Sequence, residues 1–130
     1  MSEKIKLEII SPDRTIFKTE ASQVTIPAYE GLMTILKDHI PLITFLRPGI
    51  IEVISDNTIE AFYIEEGTVE FSKNNLLILS STAKNKKDIS KVEINEMIEL
   101  TKKYINTKNI KDKDRYLLSH KIDTLEEINQ

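Results

Sequence analysis

Histidine is the one side chain whose unperturbed pKa lies close to neutrality, so it is where general acid–base chemistry would first be sought. The chain has two, His39 and His120. His39 follows Asp38 directly, and serines are available elsewhere. No G-x-S-x-G elbow or other nucleophile setting accompanies it, so the residues predict a structural or interface histidine and not a base. His120, between Ser119 and Lys121, reads as an exposed helix residue. Carboxylates are plentiful, yet Glu65-Glu66 falls in a turn and Asp112 and Asp114 at a helix start. There is no H-x-H, H-E-x-x-H or EF-hand spacing, and no G-x-x-x-x-G-K-[ST] phosphate cradle. The expectation is a chain with no catalytic residue, no metal site and no cofactor. The cluster Lys111, Lys113 and Arg115 reads as a solvated helix start.

The elements that must carry these residues are marked by spacing and punctuation. Between Val24 and Gly49 lie two of the three glycines and three of the four prolines, with short apolar runs between them. Glycine tolerates positive φ and proline lacks an N–H, so this stretch predicts short strands and tight turns forming a shaped surface. Lys4 to Ile10 alternates, with Ile5, Leu7 and Ile9 on one side, as a half-buried strand does. Ser11-Pro12-Asp13-Arg14 is a turn signal. Further strands are expected at Thr15 to Lys18, Ser22 to Ile26, Leu32 to Leu36 and Ile40 to Leu46. The last is nearly all apolar, as in a strand covered on both faces. Four more follow, at Ile50 to Ile54, Ile59 to Ile64, Thr68 to Phe71 and Asn75 to Leu79. Strands of about five residues at about ten-residue spacing predict a sandwich or flattened barrel.

After the polar run Lys84 to Asp88, a plausible linker, the period becomes helical. Ile94, Met97, Ile98, Thr101, Tyr104 and Ile105 form one stripe. Ser90 and Glu93 make a capping box, with Ile89 and Ile94 as its hydrophobic staple. The pattern breaks over Asn106 to Lys111, and a second helix is expected from about Asp112, packing through Leu118, Ile122 and Leu125. Its charges oppose the helix dipole, with Lys113 and Arg115 near the start and Glu126 and Glu127 near the end. Such a helix needs a partner surface, and an antiparallel hairpin with the first helix supplies one. The fold class is thus mainly β plus α, with a β-sandwich or flattened barrel over residues 1–86 and a two-helix hairpin over 87–130.

Composition narrows the functions available to this architecture. The 130 residues carry no cysteine, which excludes disulfides and thiolate metal sites. A net charge of −3 and a pI near 5.5 argue against nucleic acid. The start MSEKIKLEII has charges where a signal peptide has its apolar core. The longest apolar run, Ile40 to Leu46, falls far short of a membrane span. The chain is expected to be soluble, or to meet a membrane only through other subunits.

Glu30-Gly31, Ile35-Leu36, His39, Pro41-Leu42 and Pro48-Gly49 resemble the E-G-x-x-G-I-L-P-G-H-x-P-L…L-x-P-G pattern of the epsilon subunit of F-type ATP synthases. The order of early strand, single Gly67 and helical pair extends the resemblance over the whole chain. It implies a non-catalytic rotor subunit that couples ion translocation to ATP synthesis. Its sandwich would bind the gamma subunit and rest on the c-ring, at the cytoplasmic face of the bacterial cell membrane. The resemblance places Glu30, Gly31, His39, Pro41 and Leu42 at that interface. It makes the hairpin (Ser90, Glu93, Met97, Lys111, Lys113, Arg115, Leu118, Ile122) a regulatory element that transiently reaches the alpha and beta subunits and restrains ATP hydrolysis. Thr34, Lys37 and Asp38 depart from the family's Gly, Pro and Gly, although Asp38 can still support a turn through its side chain. Where some members bind ATP through [IL]-D-x-x-R-A, this chain has Ser90, Glu93 and Ile94 in place of Asp, Arg and Ala. An anionic Glu93 repels a phosphate, so ATP binding by that route is not expected. The alternative reading is a free-standing β-sandwich adaptor or ligand-binding module whose helices serve oligomerisation, and it would lack gamma on co-purification.

Overall fold

Ten strands and two helices follow from this patterning in a computed structural model describing residues 3–107 and 109–129. The alternation of Ile5, Leu7 and Ile9 makes β1 (Ile5–Ile10), with all three side chains fully buried. Its neighbours are β2 (Thr15–Ala21), antiparallel, and β9 (Asn75–Leu79), the single parallel pairing among the described strands. Between β1 and β2, Ser11 N donates to Arg14 O at 2.9 Å, closing the predicted turn. β3 (Gln23–Ala28), β4 (Gly31–Ile35), β5 (Leu42–Leu46), β6 (Gly49–Ser55), β7 (Thr58–Ile64) and β8 (Gly67–Ser72) complete the sandwich. With β10 (Lys84–Asn85) at one edge, strand order is β10-β7-β6-β3-β5-β8-β9-β1-β2, and β4 pairs with β3 off this path. β3 joins the two layers, pairing with β6 through Gln23–Thr25 and with β5 at Ala28. Where β2 ends, Ser22 N donates to Ile54 O at 2.8 Å and Ser55 Oγ to Glu20 O at 3.1 Å, drawing the sheet toward closure.

Leu7, Ile26, Ile51, Phe62, Phe71 and Ile78 belong to a core of sixteen buried apolar residues. Phe17 tilts against Phe62 with ring centroids 4.9 Å apart. Two glycines permit close approach. A Cβ on Gly49 would sit 2.5 Å from the Pro27 ring, and one on Gly67 would sit 2.8 Å from the Leu79 carbonyl oxygen.

Lys84 to Asp88 is not a free linker. Lys84–Asn85 forms β10, which pairs with β7, and residues 86–88 make one 3-10 turn capped by the Asn85 side chain. The polar side chains misled because they face water while their backbone is held in the ladder. The first helix, α1 (Lys91–Ile105), starts on the expected capping box: Glu93 N donates to Ser90 Oγ at 3.1 Å, and Ser90 N to Glu93 Oε1 at 3.3 Å. The second, α2 (Asp112–Ile128), runs back along it, and Asn129 Nδ2 at its end donates to Asn95 Oδ1 near the start of α1. The expected break at 106–111 includes residue 108, which lies outside the described residues; beside it, Asn109 turns the chain at φ +68°. No described helix is long and apolar enough to cross a membrane.

Candidate functional site

The sandwich residues singled out from sequence divide between the two ends of β4. Tyr29 and Glu30 form the two-residue connection between β3 and β4, closed by the Ala28–Gly31 pair. Glu30 is exposed, and Gly31 has φ +137°, a region that favours glycine. His39, Pro41 and Leu42 lie at the far end of β4, about 17 Å away by strand rise. β5 spans that gap, because Leu46 returns to the level of Ala28.

Along β5, Leu42 and Leu46 turn inward, but Ile43 and Phe45 are 76% and 60% exposed. This corrects the expectation of a strand covered on both faces. The apolar run is real, and its outward half has no cover among the described residues. Ile43 and Phe45 oppose Glu70 and Thr68 of β8, and Thr68 opposes Leu79 of β9, itself exposed. Directly opposed residues share a face, so Ile43, Phe45 and Leu79 form one band, with Thr68 between Phe45 and Leu79; Ile40, in the loop before β5, is exposed as well. The two-sided apolarity of β5 was the available signal for Ile43 and Phe45.

His39 and Asp38 do not act as a pair. Asp38 sits at φ +66°, where its N–H donates to Asn74 Oδ1 at 2.7 Å and its carboxylate accepts from Asn74 Nδ2 at 3.2 Å. His39 donates from Nδ1 to the Ile40 carbonyl at 2.7 Å and packs edge-on to buried Phe71. Both roles are structural. No group of three His, Cys, Asp or Glu residues among those described could hold a metal ion.

The hairpin docks on the opposite layer. Ile94 and Ile98 of α1, Leu125 of α2 and Tyr63 of β7 form a second buried cluster, flanked by Met97, Ile50, Ile89 and Ile128. Leu118 and Ile122 are only half-buried, and Tyr104 is 58% exposed, off the packed stripe where periodicity had put it. Thr101 and Thr124 are buried, each hydroxyl donating to the carbonyl four residues back. Polar bonds fasten the seam. Tyr63 Oη donates to Glu65 Oε2 at 2.9 Å, and Lys121 Nζ lies 3.3 Å from the same oxygen. Burial and the Glu65 charge push the Tyr63 phenol well above its ordinary pKa.

His120 departs from the exposed-residue reading. It is half-buried, stacks edge-on to Tyr116 at 4.6 Å, and faces a groove shared with Arg47. Burial, then Arg47, lower its pKa, while Asp123 opposes them. Lys111, Lys113 and Arg115 are exposed, and Lys111 at the N-cap makes no side-chain cap bond. Asp112 and Asp114 share the first turn with those cations, so the charge mismatch at this end is smaller than Lys113 and Arg115 alone suggested. Ser90 and Glu93 remain a cap, and Lys84 donates to Glu93 at 3.1 Å, holding its carboxyl below the usual range.

This architecture defines a class: a β-sandwich module carrying a C-terminal helical hairpin, with an apolar band uncovered on the layer away from the hairpin. Residues 4–86 match the family described as ATP synthase, Delta/Epsilon chain, beta-sandwich domain. The ATP synthase epsilon chain of Pelagibacter ubique is 42% identical over 130 residues, covering 99% of this chain and 100% of its own length. ATP synthase subunit delta, mitochondrial, of Schizosaccharomyces pombe is 36% identical over 109 residues, covering 82% of this chain and 65% of its own. A chain in the cryo-EM structure of the Euglena gracilis mitochondrial ATP synthase shares the fold at TM-score 0.80 and 19% identity, with 100% of this chain and 83% of that one covered. The chain belongs to the ATP synthase delta/epsilon family, as an epsilon subunit of the F-type enzyme.

Proposed function

We propose that this chain is a non-catalytic subunit of the central stalk of an F-type ATP synthase, turning with the rotor and coupling ion translocation to ATP synthesis. The observation that carries this reading is the uncovered band of Ile43, Phe45 and Leu79. Apolar side chains grouped on a sheet face favour a protein partner over water. The gamma subunit covers the band. The flanking ends, Glu30-Gly31 on one side and His39, Pro41 and Leu42 on the other, meet gamma and the c-ring. The chain then lies peripherally, at the cytoplasmic face of a bacterial membrane, attached through its neighbours alone. Residues 1–86 do the docking and 87–130 regulate.

The hairpin restrains ATP hydrolysis by leaving the sandwich and extending along gamma toward the alpha and beta subunits, led by Lys111, Lys113 and Arg115. Its apolar seam has four buried residues against sixteen in the sandwich core, so detaching it costs much less than unfolding the sandwich. ATP does not govern this step through the start of α1, since Glu93 places a carboxylate there. Sub-millimolar ATP binding by calorimetry would overturn that point.

The deciding experiment is a pull-down from detergent-solubilised membranes. Gamma should co-purify in stoichiometric amounts with the full chain and be lost with the double variant Ile43→Asp/Phe45→Asp, whose circular dichroism stays unchanged. A chain that never recovers gamma is not a stalk subunit.

A further inference from the structure

We infer that Tyr116 couples hairpin docking to the order of the Tyr29–Glu30 turn, so that releasing α2 loosens one rim of the partner-facing surface. Tyr116 Oη donates to the Tyr29 carbonyl at 2.9 Å, linking residues 87 positions apart in sequence. The two rings lie 6.3 Å apart, and Tyr116 is steadied from behind by His120. The other backbone group of Tyr29 has a different partner, its N–H donating to Phe45 O at 3.2 Å. One residue is therefore held by α2 through its carbonyl and by β5 through its amide. Phe45 belongs to the uncovered band, and a groove of about 320 Å³ beside it is lined by Tyr29, Phe45 and, from α2, Lys113. The hairpin seam and the apolar face, though on opposite layers, meet at this turn.

Binding linkage gives the consequence. Through this turn, a partner that prefers the ordered turn favours the docked hairpin, and docking strengthens its hold on the sandwich by the same factor, separately from the contacts that the released hairpin makes along gamma. One net hydrogen bond limits the effect to about threefold to tenfold. The partner half of this inference rests on the gamma docking proposed above, whereas the coupling within the chain does not.

The test uses the full-length chain and two variants, Tyr116→Phe and Leu125→Ala, read by amide hydrogen exchange. Leu125 is fully buried in the seam and loosens α2 by a different contact. Both variants should speed exchange in α2 and, by about threefold or more, in residues 29–32, leaving β8 and β9 unchanged. A Leu125→Ala chain with a freely exchanging α2 and an unaltered turn would overturn the coupling. In the second arm, gamma should bind Tyr116→Phe about threefold more weakly than the parent chain. Equal gamma affinity for the parent and both variants would overturn the partner half. No gamma binding even by the parent chain would sink the stalk assignment instead, with the coupling already decided by exchange in the free chain.

Discussion

Asp38 occupies the left-handed region at φ +66°, where a residue with a Cβ ordinarily pays about 1–2 kcal/mol. Its reciprocal bonds to Asn74, which is itself at φ +61°, offset that strain and tie the β4–β5 loop to the β8–β9 hairpin. Asp38→Gly should therefore stay within about 0.5 kcal/mol of the parent in urea unfolding, relief of strain balancing the lost side-chain bond. Asp38→Val, with a branched Cβ in the same conformation, should cost about 2 kcal/mol. His120 makes a second residue-scale prediction. Its pKa in the folded chain lies below the ordinary value of 6.5, so the unfolded or undocked form takes up the proton first. The stability it contributes is present above pH 6.5 and declines as pH falls from there through the folded pKa. Thermal unfolding should show that decline, and His120→Gln should flatten it.

The two helices differ in what holds them. α1 has its own start signal, with both halves of the capping box formed and Lys102 and Lys103 in its last turn to suit the dipole. Ser90→Ala should lower the stability of the hairpin by about 1 kcal/mol, read from the exchange of α1 amides, and leave the sandwich unaffected. α2 has no side-chain cap and no basic residue in its last turn, so it persists through contacts made elsewhere: Leu125 in the seam, Lys121 with Glu65, and Tyr116 with Tyr29. The Lys121–Glu65 pair is about a quarter exposed, and added salt should weaken docking only modestly. Strand β5 shows the reverse dependence: it is well specified locally, and its outward side chains Ile43 and Phe45 are left exposed among the described residues.

For the whole molecule, the buried cluster at the hairpin seam is much smaller than the sandwich core, so the hairpin release proposed above would leave the sandwich folded. Removing residues 87–130 should leave the sandwich folded and gamma-bound and should raise the ATPase activity of the assembled enzyme. An ATPase rate unchanged by the deletion would mean that the hairpin is no brake.

Local patterning by itself determined the alternating strands, the turn at Ser11 to Arg14, the capped start of α1 and the order of sandwich then hairpin, because each depends on neighbours within a few residues. Tertiary structure alone decided that Lys84–Asn85 joins β7, that Asp38 pairs with Asn74 in preference to His39, that Tyr104 points outward, and that His120 is half-covered. Those outcomes depend on groups brought together from distant parts of the chain, and a residue's type does not encode the distance to them. Ile43 and Phe45 are the sharpest case: their sequence announced that something would cover them, and only the assembled sheet showed that the described residues leave them exposed.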